Sequence, residues 1–167
     1  MLFSWHQIDM FLTTHALIGA LVANQFPHHP LISFACGMAS HFLTDIIPHG
    51  DSKLYKDYVT GSKKKVRKAV AYVMIDGIVA IYTVLFLLNA GLPSDKLTLT
   101  LGIAGGVLPD LLVGIYEVTR IPGLRWFHRL HFFFHNLVTS RKGDVAFRSG
   151  LAIQFSLLAL VCVRLFY

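Results

Sequence analysis

Charge is scarce in this chain. Asp, Glu, Lys and Arg make up 14% of its 167 residues, where a soluble domain carries about 25%. That deficit excludes an ordinary water-soluble surface. Cysteine is nearly absent too: Cys36 and Cys162 are the only two, and both sit inside apolar runs. A disulfide scaffold and a Cys-rich zinc ribbon are therefore excluded, and both thiols read as small packing residues. The opening MLFSWHQIDM has no Lys or Arg. With no small-residue cleavage site after the first apolar run, a cleavable signal peptide is not expected. Acids are fewer than bases, 9 against 15, for a net charge of +6. The surplus is localised in a way that fits membrane topology better than nucleic acid, so no nucleic-acid partner is expected.

What the chain has in abundance is apolar length. Hydrophobic residues reach 54% and the mean hydropathy is +0.59. Apolar runs cover 10–26, 30–48, 69–90, 97–116 and 149–167. Each approaches the roughly 20 residues that a helix needs to cross a bilayer. The expected fold is all-α: a polytopic transmembrane helical bundle of about five spans, forming a single integral membrane domain over 1–167. Between the last two runs, IPGLRWFHRLHFFFHNLV reads as an amphipathic helix over 123–138. It would lie in the membrane interface or, more plainly, pack as a short helix on the bundle.

The basic residues orient the chain. Lys53, Lys56, Lys63, Lys64, Lys65, Arg67 and Lys68 follow the second run, and Arg120, Arg125, Arg129, Arg141, Lys142 and Arg148 follow the fourth. The remaining connections are nearly bare: NQFPHHP has none and GLPSDKL only Lys96. The positive-inside rule then predicts a multi-pass inner-membrane protein, N-terminus cytoplasmic and C-terminus outside. The KKKVRK run reads as an anchor to anionic lipid.

Ionisable residues inside spans are costly and mark functional sites. Here they share a depth. His15 opens the first run, His41 and Asp45 close the second, Asp76 lies about two turns into the third, and Asp110 about two turns from the end of the fourth. All fall in the cytoplasmic half. His49 and Asp51 follow the second run, and His128, His131 and His135 belong to the interfacial segment. His41 and Asp45 are four apart, on one helix face. Imidazole and carboxylate suit zinc and similar divalent ions and leave a position for water. A metal would also offset the cost of gathering buried carboxylates. In GIAGGVLPDLL, Gly102 and Gly106 allow close helix approach, and Pro109 frees the carbonyl of Gly105 beside Asp110.

Plainer readings stand beside these. A lone intramembrane His is often hydrogen-bonded to a neighbouring helix, Asp76 would serve equally as a helix–helix partner, and Asp51 would serve as a turn cap. Interfacial helices carry His for solvation, and His28 and His29 read as loop residues.

The run SHFLTDIIPHGD resembles the signature of the zinc-dependent phospholipase C family through His41, Thr44, Asp45, Pro48 and His49, with Pro48 and His49 one residue closer together. The segments THALIG, SHFLTD, LPDLL and FHRLH are similar to motifs of the membrane-bound metal-dependent hydrolases. Leu112 stands where that family usually has a second Asp, and the motifs run in a different order. The resemblance implies a metal-dependent hydrolase acting on a phosphoester, in a lipid or lipid-linked substrate at the cytoplasmic face. The cofactor would be a divalent metal, zinc first among them. Its ligands would come from His15, His41, Asp45, His49, Asp110, His128, His131 and His135. Asp76 and Asp51 would be catalytic or orienting acids, and Arg125 and Arg129 would hold phosphate by forked hydrogen bonds. The alternatives are a proton- or metal-ion-translocating protein and a non-catalytic membrane adaptor with a structural metal site.

Overall fold

The computed structural model describes residues 11–48, 58, 60–142 and 145–167. They are all-helical, with no strand among them. The helices are α1 (Leu12–Gln25), α2 (Pro30–Asp45), α3 (Lys63–Leu87), α4 (Lys96–Thr119), α5 (Arg125–Lys142) and α6 (Phe147–Phe166), with a 3-10 turn (Pro122–Leu124) leading into α5.

Local chemistry sets the boundaries. α2 begins with Pro30, whose missing N–H costs nothing at a helix start. His28 adopts a left-handed φ of 68° in the turn before it and pairs with Asp95 at 3.2 Å. Asp95 caps α4, accepting from the Thr98 backbone N–H at 3.0 Å and the Thr98 hydroxyl at 2.7 Å. Those two bonds, aided by His28, hold the Asp95 carboxyl at about 2. α4 ends on Arg120, left-handed at φ 56°, whose N–H bonds back to the Tyr116 carbonyl.

Three of these helices, α3, α4 and α6, are long and apolar enough to cross a membrane. α1 and α2, with 14 and 16 residues, reach only about 21 and 24 Å at 1.5 Å per residue, short of a hydrocarbon core of about 30 Å. The expected five crossings are thus matched on length and composition by three. The first two runs are interrupted at Phe26–His29 and stop at Asp45, ahead of Pro48, which disfavours helix in the residue before it.

α1, α2 and α4 form the packed centre, α3 and α6 lean on α1, and α5 lies against α2 and α4. Glycine makes the centre possible. A Cβ on Gly102 would come within 2.7 Å of the Gly19 carbonyl and 2.8 Å of the Ala23 Cβ. A Cβ on Gly105 would strike the Phe34 carbonyl, and one on Gly106 would meet the His15 carbonyl at 2.5 Å. The small-residue spacing anticipated for Gly102 and Gly106 is therefore used against α1, with Gly105 doing the same toward α2.

Outside this centre the apolar side chains turn outward. On α3, Val73, Met74, Ile75, Ile78, Ile81, Tyr82, Leu85 and Phe86 are all exposed. A patch of that extent is what a lipid-facing helix presents. On α5, Trp126, Leu130, Phe133 and Leu137, at helical spacing, face outward, while His131 and His135 are buried. α5 packs on the bundle through Phe127 and Phe132 together with these histidines, and its outward stripe is apolar.

Candidate metal centre

The start of α1, the end of α2 and the second half of α4 bring His15, His41, Asp45 and Asp110 together. One potential ligand atom from each lies within 4.8 Å of the others. His15, His41 and Asp45 are fully buried and Asp110 nearly so. His15 Nε2 is 3.1 Å from Asp45 Oδ1 and 3.8 Å from Asp110 Oδ2. His41 Nε2 is 3.0 Å from Asp45 Oδ2 and 3.5 Å from Asp110 Oδ1.

The far side of each imidazole fixes what its near side can do. His41 Nδ1 lies 2.8 Å from the Gly106 carbonyl, which only accepts, so Nδ1 carries the proton. His15 Nδ1 lies 3.4 Å from Thr44 Oγ1. The Thr44 proton is directed to the His41 carbonyl at 2.9 Å or the Ser40 carbonyl at 3.0 Å, so its oxygen is left to accept from His15. In the neutral form of both rings, the Nε2 lone pairs therefore face the carboxylates. Neither Asp45 oxygen receives a directed hydrogen bond among the described residues, although an imidazole nitrogen stands about 3 Å from each. Acceptors turned toward acceptors in a buried pocket repel one another unless a proton or a metal ion lies between them. A backbone carbonyl holding Nδ1–H while Nε2 points inward is the usual second-layer support of a metal-bound histidine. The donor set fits a divalent ion.

His131 joins from α5. Its Nδ1 is 3.4 Å from His41 Nε2, and its Nε2 is 3.6 Å from Asp45 Oδ2 and 3.9 Å from Asp110 Oδ1. His135, one turn on, is buried with its ring centroid 6.1 Å from that of His131.

The other residues singled out by sequence are placed elsewhere, with two outside the description. His49 and Asp51 lie outside the described residues. Asp76 faces the start of α1, accepting from Leu12 N at 2.6 Å, Thr13 N at 3.4 Å and Thr13 Oγ1 at 2.7 Å. With Gln154 of α6, which accepts from Phe11 N at 3.0 Å, it supplies the cap that α1 lacks in its own sequence. That is the helix–helix partnership left open for Asp76. Arg125 and Arg129 are exposed, away from the buried histidine face of α5.

His128 is directed to Glu117 at 2.8 Å rather than into the cluster, and Arg120 holds the other Glu117 oxygen at 2.6 Å. Burial pushes the His128 imidazole below its ordinary value, and the Glu117 carboxylate opposes that shift. Sequence reasoning missed Glu117 and Thr44 as partners. An acid one residue past an apolar run, three before Arg120, was the available signal for the first.

In comparisons with known proteins, no protein-family model matches the chain, and no curated protein or solved structure shows significant similarity to it.

Proposed function

We propose that this chain is a membrane-embedded, metal-dependent hydrolase acting on a phosphoester in a lipid or lipid-linked substrate. α1 and α2 would complete about five crossings, with the N-terminus cytoplasmic, the C-terminus outside and the site opening to the cytoplasmic leaflet. The observation that carries the reading is the orientation of His41. Its Nδ1–H is committed to Gly106 O at 2.8 Å, while its Nε2 stands 3.0 Å from the buried Asp45 carboxylate, which receives no directed hydrogen bond among the described residues.

His15, His41, Asp45 and Asp110 would hold the ion. A bound divalent metal supplies Lewis acidity toward a phosphoryl oxygen and lowers the pKa of a coordinated water. The chain's own contribution is positioning. Gly106 and Thr44 set the imidazoles, Asp76 and Gln154 fix the α1 terminus two to four residues ahead of His15, and the buried pocket keeps bulk water from the carboxylates.

A conduit reading is less well supported. Beyond the cluster, Gly19, Gly102, Ala20, Ala23 and Ile103 close the centre with backbone and apolar contacts, which argues against a polar path across the bundle.

The test is release of headgroup or phosphate from vesicles of anionic and zwitterionic phospholipid by the reconstituted protein. Release that a chelator stops, zinc restores and His41→Ala abolishes is expected. Release unchanged by chelator and by His41→Ala, or no release from any lipid phosphoester by metal-loaded protein, would overturn the reading.

A further inference from the structure

The cluster is closed. The side chains of His15, His41, Asp45 and His131 are fully buried, and Asp110 is nearly so. A substrate reaches the pocket only if part of its wall moves. α1, α2 and α4 are held against such motion. At Gly19, Gly37, Gly102, Gly105 and Gly106 they approach so closely that a Cβ would strike the backbone of a neighbouring helix. α5 is held differently. It contains no glycine, and its backbone comes close to α2 and α4 at few points. Rings make much of the contact: Phe42 of α2 lies 6.2 Å from Phe127 and 5.1 Å from Phe134, centroid to centroid. Yet α5 lies directly on the cluster, with His131 Nδ1 3.4 Å from His41 Nε2.

The chain that leads into α5 has the form of a hinge. Arg120 is left-handed at φ 56°, and a 3-10 turn follows over Pro122–Leu124. A Cβ on Gly123 would meet nothing within 4 Å, so the backbone there can turn without displacing a packed neighbour. One ion pair spans this segment. Glu117, in the last turn of α4, meets His128, in the first turn of α5, at 2.8 Å, and Arg120 at 2.6 Å. The Tyr116 ring backs His128, with centroids 4.6 Å apart. The pair sets the angle between α4 and α5, and with it the distance of His131 from the cluster.

From this arrangement we infer that α5 is a lid over the metal pocket, hinged at 120–124 and latched closed by Glu117 and His128. This rests on the metal-dependent reading above and adds its route of entry. Opening the lid withdraws His131 and uncovers the pocket. His15, His41, Asp45 and Asp110 stay assembled, because all four stand on α1, α2 and α4. The pocket can thus open without releasing its ion. Lids turn on a few residues at element ends, and the parts of a fold that open are those with the fewest buried contacts.

The experiment is hydrogen–deuterium exchange by mass spectrometry on detergent-purified full-length protein, paired with the rate at which excess chelator removes bound zinc. In the wild type, the α5 amides are expected to exchange as a block, ahead of those of α2 and α4. Glu117→Gln keeps the shape and removes the charge. It should speed α5 exchange and zinc release alike, each about tenfold, at unchanged zinc content. Asp95→Asn weakens the cap at the opposite end of α4 and should leave both rates as they were. α5 amides as protected as those of α4, zinc release unmoved by Glu117→Gln, or equal acceleration by Asp95→Asn would overturn the latched lid and leave the metal site standing. A wild type whose α5 opens but which binds no zinc would remove the metal-dependent reading and the gate with it. The wild-type exchange pattern decides the lid even if Glu117→Gln fails to fold.

Discussion

At the scale of the residue, the site is defined by protons that are already committed. Thr44 gives its hydroxyl proton to the chain and turns its oxygen to His15 Nδ1 at 3.4 Å. Replacing it with valine keeps the shape and removes that acceptor, while every proposed ligand residue stays in place. Support residues of this kind contribute about 10–100-fold to metal affinity. Thr44→Val should therefore weaken zinc binding by about tenfold in competition with a chelator of known affinity, at unchanged stoichiometry; unaltered affinity would show that His15 needs no such support.

Much of the cluster was legible in the sequence. His41 and Asp45 announce themselves by their spacing, and His15 and Asp110 by sharing their depth. Glu117 was not legible as the partner of His128, because the chain between them turns at the left-handed Arg120 and a 3-10 segment. Nothing in composition gives the direction in which α5 re-enters. Asp76 has the burial and chemistry of a catalytic acid in sequence, and only the position of the α1 terminus tells that its acceptors are occupied there.

At the scale of the element, glycines govern how closely the candidate ligands meet. A Cβ at Gly105 would meet the Phe34 carbonyl and the Met38 N–H, both backbone, so the clash cannot be relieved by a side chain turning away. α2 and α4 would have to separate, and with them His41 and Asp110. Gly105→Ala is expected to cost about 1–3 kcal/mol of stability, as overpacking does, and to lower bound metal although every ligand is intact. Gly77, in α3, has nothing within 4 Å of its Cβ position. Gly77→Ala should leave metal content unchanged and stabilise α3 by up to about 1 kcal/mol. Thermal unfolding and metal analysis on the two variants give the comparison; equal metal content in both would separate helix spacing from the site.

The long apolar helices were legible from composition alone, because lipid exposure needs no precise partner. The ends of α1 and α2 were not. They depend on the turn at His28 and on caps borrowed from Asp76 and Gln154.

At the scale of the whole molecule, a polar cluster lies inside an apolar exterior, next to a buried apolar core that includes Leu17, Leu87, Leu99 and Ile103. The long helices show hydrocarbon outward, and the buried centre holds imidazoles and carboxylates. Buried charge without an ion is a liability in such a fold, since no bulk water reaches it. The central claim is therefore about what occupies the pocket between α1, α2 and α4, and zinc K-edge X-ray absorption on purified protein tests it directly. The expected spectrum has a nitrogen–oxygen inner shell with the outer-shell scattering of imidazole, and the zinc is lost in the His41→Ala, Asp45→Ala double variant. Zinc-loaded wild type that retains no stoichiometric metal after desalting, or a spectrum without imidazole scattering, would contradict it.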